Sequence, residues 1–276
     1  MTSSTTITDY WTTRAEGYSD RTADELAGPR GAIWEKRLRD ALHTAPDGLV
    51  VDLGCGPGLF TLLAARTGRE ALGIDLTPKM LQQARTNHRR FAPQSSVSFL
   101  AADAEHLPLS DHSVAAVVSR YVIWNLPHPE AALLEIKRVL KPSGVLYYVD
   151  GNHYRYLTDP RWAKLHAVQT PVYGHEARFV KGVDTSPMER MARELPLTYA
   201  ERPQWDETVL TRLGFRSVCI RTLDTQAASA DDPLLITEFS IEAHVCCFPA
   251  EISSPVLRSA PPHHPFGPRV TLLPTF

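Results

Sequence analysis

Length, composition and charge place this chain among ordinary globular proteins, because its 276 residues suffice for one substantial core with an accessory region, or for two small cores. Hydrophobic residues make up 43% of the chain and charged residues 22%, which excludes fibrous and strongly disordered classes. Lysine plus arginine (29) nearly balance aspartate plus glutamate (31), so no overall field favours nucleic acid or an anionic membrane.

The N-terminal part of the chain predicts a helical cap. Residues 1–20 are polar with interleaved aromatic side chains, and the stretch 33–42 has the apolar spacing of one helix face at Ile33, Trp34, Leu38 and Leu42. The opening segment has no basic stretch followed by an apolar one, and no apolar run is long enough to span a bilayer. We therefore expect a cytoplasmic protein that does not act at a membrane.

From residue 49 the chain alternates between short apolar strands and helices. Strands are predicted over 49–53, 71–75, 97–101, 114–119 and 145–150. Helices are predicted over 59–66, 77–90 and 129–140, the last ending at a Lys-Pro-Ser-Gly turn. This alternation favours an α/β fold with a parallel sheet covered by helices on both faces.

The alternation stops after Asp150. Residues 151–205 are rich in aromatic and charged side chains and show no clear strand, whereas a helix near 206–213 and strands over 217–222 and 235–245 restore the pattern. We interpret 151–205 as an insertion within one domain. The proline-rich stretch 249–276 predicts an irregular tail.

The sequence VVDLGCGPGLF at residues 50–60 predicts a strand, a glycine turn and the N-terminus of a helix. Such an element can bind a nucleotide, because the first N–H groups of a helix are unpaired. The dinucleotide fingerprint G-x-G-x-x-G is not matched, since the third glycine, Gly58, comes one position early. Asp52 before the turn would repel a pyrophosphate and suits a ligand with a positive end, which argues against a dehydrogenase.

Three acidic residues follow successive predicted strands. Asp52 ends the first strand, Asp75 ends the second, and Asp103 follows the third. The carboxyl ends of parallel strands border the crevice where open α/β sheets bind ligands. Asp75 is placed where a carboxylate accepts hydrogen bonds from both ribose hydroxyls, so the three acids together predict a site for a cationic nucleoside conjugate.

The runs VVDLGCGPG, GID, AADAEHLP and EIKRVLKPSGVLYYVD together resemble the class I S-adenosylmethionine-dependent methyltransferases, in the branch that includes the ubiquinone and menaquinone biosynthesis enzymes. The resemblance covers about residues 10–150 and, more loosely, 205–245. It implies a Rossmann-like, seven-stranded, mostly parallel sheet with helices on both faces and an antiparallel last strand. It also implies S-adenosylmethionine as the cofactor.

The resemblance also implies residue roles. The methionine moiety would lie among Asp52, Gly54, Gly56 and Gly58, the ribose at Asp75 and the adenine at Asp103 and Ala104, while the turn from Ser119 to Tyr121 would close the site. The other expected cofactor contacts are Tyr10, Arg14, Tyr18, Leu76, Met80, Glu105 and Arg120.

The acceptor side departs from many relatives, which carry a histidine pair after the fourth strand where this chain reads SRYVIWNLPHPE. His153 and Tyr121 are the candidate catalytic residues, with His153 the better candidate for a base, since imidazole titrates near neutral pH. Trp124, Tyr154 and Trp162 are the candidate substrate contacts. The N-P-P-Y and D-P-P-Y patterns of base-methylating enzymes are absent, and no cysteine or histidine spacing predicts a metal site.

These observations predict a methyltransferase for a small-molecule acceptor, with the methylated atom (N, O or C) and the oligomeric state left open. The alternative is a protein of the same fold that binds S-adenosylmethionine without methyl transfer, as a cyclase, an isomerase or a binding module. The expected organisation is a helical cap (1–45), a cofactor-binding core (46–150 and 206–248), an inserted lid that binds the acceptor (151–205) and the tail (249–276).

Overall fold

Seven strands form one sheet in the computed structural model, which describes residues 4–169 and 176–246. The strands are β1 (Val50–Leu53), β2 (Ala71–Asp75), β3 (Val97–Ala101), β4 (Val114–Arg120), β5 (Leu140–Gly151), β6 (Phe215–Gln226) and β7 (Leu235–Val245). Their order across the sheet is β3-β2-β1-β4-β5-β7-β6. Strands β1 to β5 pair in parallel, and β7 lies antiparallel between β5 and β6. The predicted α/β fold with an antiparallel last strand is confirmed.

Nine α-helices surround the sheet within the described ranges. They are α1 (Ser4–Ala27), α2 (Pro29–Leu42), α3 (Leu59–Arg66), α4 (Pro78–Phe91), α5 (Pro129–Val139), α6 (Pro160–Val168), α7 (Ala177–Val180), α8 (Ser186–Ala192) and α9 (Gln204–Arg212). Short 3₁₀ turns lie at Ile123–Asn125, Arg155–Leu157 and Pro196–Thr198. None of these helices is long and apolar enough to cross a membrane.

The core lies on both faces of the sheet. Every residue of β1 is buried, and β4 is buried from Val114 to Ser119. One cluster of buried side chains joins the sheet to α5 and α9, and a second joins the opposite face to α2 and α3. Strands buried on both faces read as continuous apolar runs, which is why β1 and β4 could be predicted from the sequence.

The prediction of the apolar face of α2 is wrong for one residue, Ile33. Trp34, Leu38 and Leu42 are buried as expected, but Ile33 is 53% exposed. The buried face also includes Ala41, so its residues follow the spacing i, i+4, i+7 and i+8 from Trp34. Ile33 precedes that series by one residue and is rotated about 100° away from it.

Two strands are longer than predicted. β5 begins at Leu140 and contains the Lys-Pro-Ser-Gly turn as an irregularity, because its pairing with β4 shifts between Val114 and Ala116. Ser143 within it has a positive φ of 63°. β6 extends over Phe215–Gln226 with further register shifts.

The described part of the segment 151–205 consists of short helices joined by turns and irregular stretches, and it contains α6, α7 and α8. Sheet pairing resumes only with β6. The division of the chain into cap, core, lid and tail stays a prediction, and residues 249–276 of the expected tail lie outside the described part.

Candidate active site

The glycine turn after β1 requires glycine for conformational reasons. Gly54, Gly56 and Gly58 have positive φ values of 64°, 51° and 92°, a backbone region that L-residues with a Cβ rarely adopt. The turn is held against β2, because the Cys55 N–H donates to the Ile74 carbonyl at 2.9 Å.

The three glycines have different surroundings. A Cβ at Gly56 would meet a single side-chain atom, the Met80 sulfur at 4.0 Å, so the space beside Gly56 opens into a cavity. A Cβ at Gly54 would overlap Val122, and one at Gly58 would press on α4 at 3.3 Å. Gly54 and Gly56 line the cavity, but Gly58 does not. The expected cofactor role of Gly58 is therefore corrected to helix packing.

Asp52 is a buried carboxylate at the end of β1 that contacts the N-terminus of α3. Its Oδ2 atom accepts hydrogen bonds from the Thr61 N–H at 2.7 Å and the Thr61 hydroxyl at 2.6 Å. Burial raises the pKa of Asp52 to about 7, while the bonds from Thr61 oppose the rise. Asp52 lines the cavity, and its Oδ1 atom is in no hydrogen bond of the described residues.

Asp75 at the end of β2 connects the glycine turn after β1 to the start of α4. Its Oδ2 atom accepts the Gly56 N–H and its Oδ1 atom accepts the Thr77 N–H, both at 2.8 Å. Burial raises the pKa of Asp75. A carboxylate oxygen has two lone pairs, so each Asp75 oxygen can accept one further hydrogen bond from a ligand hydroxyl.

The end of β3 supplies a third acid to the same cavity. The Asp103 Oδ1 atom accepts the Glu105 N–H at 2.9 Å, and Glu105 accepts the His128 N–H at 3.2 Å. Asp103, Ala104 and Glu105 line the cavity together with Leu76 and Met80. The structure thus brings these five predicted cofactor contacts together.

His153 lies beside a buried carboxylate after β5. The Nε2 atom of His153 is 3.4 Å from Oδ1 of Asp150, and its side chain is 29% exposed. Asp150 is fully buried and also contacts Arg202 at 2.9 Å. Burial by itself raises the pKa of Asp150, but Arg202 and His153 hold it below its usual value. Asp150 is therefore an anion directed at the imidazole.

Tyr121 also contacts the imidazole of His153. Its ring meets the His153 ring edge-on with centroids 5.2 Å apart, and its hydroxyl donates to Glu238 of β7. Burial raises the pKa of Tyr121 to about 12, against the opposing charge of Arg120. Tyr121 is therefore protonated at neutral pH and acts as a hydrogen-bond donor there.

The N-terminal helix forms one wall of the cavity. Tyr10, Tyr18 and Arg21 line it, as does Glu25, which forms a two-pronged ion pair with Arg120 at 2.8 Å for each bond. Burial raises the pKa of Glu25, but Arg120 outweighs it and holds the pKa below its usual value. This buried pair ties α1 to the end of β4.

Two expected cofactor contacts lie elsewhere. Arg14 is 2% exposed and does not line the cavity, because it points away from it and donates to the Val180 carbonyl at 3.3 Å. Ser119 is likewise excluded, because its hydroxyl donates to the Leu53 carbonyl of the neighbouring strand at 2.8 Å. Both side chains connect elements of the fold. The arginines that line the cavity here include Arg21 and Arg120.

Aromatic side chains line the cavity on the side of the insertion. Trp124 stacks on Tyr154 with ring centroids 5.2 Å apart, and Trp124 also packs on His153 at 5.2 Å. Burial raises the pKa of Tyr154. The other aromatic residues of this wall are Trp11, Tyr156 and Trp162.

The first two glycines of the turn, the three strand-end acids, His153 and the aromatic side chains border the same cavity of about 1020 Å³ at the carboxyl edge of the sheet, whereas Asp150 does not line it. Ligand pockets commonly measure about 300 to 1,000 Å³, so the space exceeds the needs of one nucleoside-sized ligand. Within residues 4–169 and 176–246, no group of three or more side chains is placed to hold a metal ion. Fold and site together define a Rossmann-like protein whose cavity is large enough for a nucleoside ligand and a second molecule.

Several residues on or behind the cavity wall were not singled out from the sequence. Asp150 ends a predicted strand, as Asp52 and Asp75 do, so the same signal was available for it. Glu25 follows Arg21 by one helical turn, a spacing that indicates a paired helix face. Glu238 had no such signal, because only the antiparallel pairing of β7 places it opposite Gly151.

Comparisons with known proteins give the same class. Residues 51–148 match the family model described as a methyltransferase domain. A demethylmenaquinone methyltransferase of Tropheryma whipplei is 32% identical over 146 residues, which cover 53% of this chain and 59% of that protein. The matched region thus spans less than two thirds of that relative's length.

Solved structures of low sequence identity share the fold. A putative S-adenosylmethionine-dependent methyltransferase from Methanococcus maripaludis superposes with a TM-score of 0.54 at 19% identity, covering 86% of this chain and 94% of that chain. A methyltransferase from Aquifex aeolicus gives a TM-score of 0.51 at 16% identity, covering 82% and 98%. Residues 51–148 of this chain are similar to a methyltransferase domain, and the resemblance to the ubiquinone and menaquinone branch is confirmed.

Proposed function

We propose that this protein is an S-adenosylmethionine-dependent methyltransferase that acts on a small-molecule acceptor. The observation that carries the proposal is that one cavity joins the glycine turn and three strand-end acids to His153 and an aromatic wall. Relatives named demethylmenaquinone methyltransferases support the reaction class. Action in the cytoplasm and an acceptor other than nucleic acid are parts of the proposal that rest on the sequence.

The residues present fit S-adenosylmethionine. The open space beside Gly56 admits a ligand close to the backbone, and the Asp52 Oδ1 atom suits an ammonium group. Asp75 would accept the ribose hydroxyls, and Asp103 with Ala104 would face the adenine. The Asn125 Oδ1 atom is buried without a hydrogen-bond partner in the described residues and lines the cavity, so it can accept a ligand N–H or O–H.

When bound, S-adenosylmethionine supplies a methyl group on a sulfonium, whose transfer is an in-line displacement. The protein has to align the acceptor and exclude water, an effect worth up to about 7 to 11 kcal/mol in well-oriented systems. Trp124 and Tyr154 are placed to exclude water beside His153. His153 would accept a proton from an acceptor that has one to lose.

The described part of the insertion 151–205 is proposed as the acceptor-binding lid. Tyr154, Tyr156 and Trp162 lie on the cavity wall, and Met188 of α8 completes the wall. Aromatic faces attract cations and bury apolar rings, so this wall can both shield a sulfonium and bind an apolar acceptor.

The proposal is tested by measuring S-adenosylmethionine binding by calorimetry and S-adenosylhomocysteine formation in a cell extract. Gly56→Val should abolish binding in a folded protein, because its side chain would occupy the cofactor space. Gly68→Val is the matched control, since Gly68 also has positive φ (90°) but nothing lies within 4 Å of its Cβ position. It does not line the cavity.

Wild-type affinity in Gly56→Val would refute the cofactor site. Binding of S-adenosylmethionine by the wild-type protein without any product in extracts or acceptor panels would instead favour a binding protein of the same fold. Mass spectrometry of the extract identifies the acceptor as the metabolite that gains one CH₂.

A further inference from the structure

Asp150 is surrounded by hydrogen-bond donors. Its Oδ2 atom accepts the Trp124 N–H at 2.9 Å and an Arg202 N–H at 2.9 Å, and its Oδ1 atom accepts the Gly151 N–H at 2.9 Å. The remaining neighbour is Nε2 of His153, 3.4 Å from Oδ1. Three of these four groups are donors in every protonation state.

Arg202 keeps this carboxylate charged. Its guanidinium is buried and also bonds both oxygens of Asp206, at 2.6 and 2.9 Å. The Tyr148 hydroxyl donates to Asp206 at 2.7 Å, which extends the network along the same face of β5. An ionised Asp150 has no hydrogen to donate, so its contact with Nε2 of His153 at 3.4 Å favours the tautomer that bears the hydrogen on that nitrogen.

We propose that Asp150 is a positioning residue, which holds His153 as the Nε2–H tautomer and leaves Nδ1 as the atom that accepts a proton from the acceptor. The role in catalysis rests on the proposed methyltransferase function, whereas the tautomer does not. When Nδ1 takes the proton of a hydroxyl or ammonium group, the ring becomes an imidazolium and its charge is balanced by Asp150.

The Asp150 carboxylate also holds Trp124, which forms another part of the cavity wall. By accepting the backbone N–H of Trp124, Asp150 connects the loop after β4 to the loop after β5. Trp124 and Tyr121 pack on two sides of the His153 ring, each with centroids 5.2 Å away. The charged and titratable groups around the ring are Asp150, Tyr121 and its partner Glu238, with Arg202 behind Asp150 and with Arg120 and Arg21 behind Tyr121. The position of the His153 ring is thus set by aromatic residues that follow β4, whereas its tautomer is set by Asp150 of β5.

The test is a long-range ¹H–¹⁵N correlation of the histidine rings in the full chain, recorded at a pH near 8. His153 is assigned as the signal lost in His153→Gln among the 11 histidines of the chain. We expect the pattern of a single tautomer with the hydrogen on Nε2. A hydrogen on Nδ1, or equal amounts of both tautomers, would overturn the proposal even if no variant of Asp150 folds.

Two variants separate positioning from general support of the fold. Asp150→Asn should lose the single-tautomer pattern, because an amide cannot accept from all four donors. Tyr148→Phe is the matched control: it removes a hydrogen bond from the same buried network, but it contacts neither His153 nor the cavity. It should leave the His153 signals unchanged. Unchanged His153 signals in a folded Asp150→Asn protein would contradict the proposal.

Activity gives the second readout. The amount of S-adenosylhomocysteine formed in the extract assay should fall about tenfold or more in Asp150→Asn. This is less than the whole contribution of a general base, which is about 10²- to 10⁴-fold. It should stay near the wild-type level in Tyr148→Phe. Cofactor affinity measured on the same samples tests the proposed function separately: a wild-type protein with the Nε2–H tautomer and no cofactor binding would refute the function and leave the positioning role intact.

Discussion

Asp52 is a buried acid whose charge is close to balance at neutral pH. Burial raises its pKa to about 7, whereas the two hydrogen bonds from Thr61 favour the ionised form. A nearby positive charge would tip that balance, because an opposite charge within about 4 to 6 Å stabilises the carboxylate. Binding of a cationic ligand at this site is therefore coupled to proton release.

We predict that the affinity for S-adenosylmethionine increases as the pH rises through about 7 and then levels off. The cation favours ionised Asp52, so binding lowers its pKa, and below pH 7 part of the binding free energy is used to expel the proton. Calorimetry in buffers of different ionisation enthalpy measures the protons released. Asp52→Asn should remove this dependence. If the pH dependence persists unchanged in that variant, another group is responsible, and Asp75 is the next candidate because burial also raises its pKa.

His153 permits a direct test of base catalysis. Its loss in His153→Ala should lower turnover about 10²- to 10⁴-fold with cofactor affinity nearly intact, provided that the acceptor loses a proton. His43→Ala removes an exposed histidine at the end of α2 and serves as the control. Steady-state rates of S-adenosylhomocysteine formation measure the effect. Near-normal turnover in His153→Ala would assign catalysis to alignment alone.

At the scale of elements, helix α6 tests the role of the insertion. Trp162 of α6 lines the cavity and is partly exposed, whereas Val168 on the same helix is 60% exposed and does not line it. Trp162→Ala should change the preference between acceptors of different size by about 10- to 200-fold in kcat/KM, the range found for pocket contacts. Val168→Ala should leave that preference unchanged. A Trp162→Ala protein that loses only stability would refute the lid.

The contact between α1 and α7 depends on Gly17. A Cβ at this position would overlap the Phe179 carbonyl oxygen. Gly17→Ala should therefore lower the free energy of unfolding by roughly 1 to 3 kcal/mol, as overpacking does, although alanine stabilises an open helix by roughly 0.5 to 1 kcal/mol over glycine. Urea denaturation measures the change, with Thr12→Ala on the exposed side of α1 as control. An increase in stability would show that α7 moves aside freely.

At the scale of the whole molecule, the sequence predicted what depends on local patterns. The apolar runs of β1 and β4 are visible because both faces of these strands are buried, and Asp52 and Asp75 are visible because they end such runs. Gly56 could be predicted as a site residue because the glycine turn is visible in the sequence. These features explain why the sheet, its carboxyl edge and most of the cofactor side could be predicted.

The features of the site that the sequence did not predict depend on contacts between distant segments of the chain. Arg14 and Ser119 have residue types that suit a ligand, but each donates to a backbone carbonyl supplied by another element. The requirement for glycine at Gly54 comes partly from Val122, which approaches from the loop after β4. Glu238 meets Tyr121 only through the register of an antiparallel strand. No local pattern in the sequence encodes such pairs.

The packing of α1 has a consequence for how the protein is made. This helix packs against α4, α7 and α8, all of which are synthesised after it. Because translation runs from the N-terminus and domains fold as units, α1 has no complete docking surface until Ala192 has left the ribosome. The glycine turn and its acids are present in the nascent chain well before that point. A ribosome-bound chain that ends ahead of α8 therefore has the cofactor-binding edge of the sheet but not the packed helix that covers it.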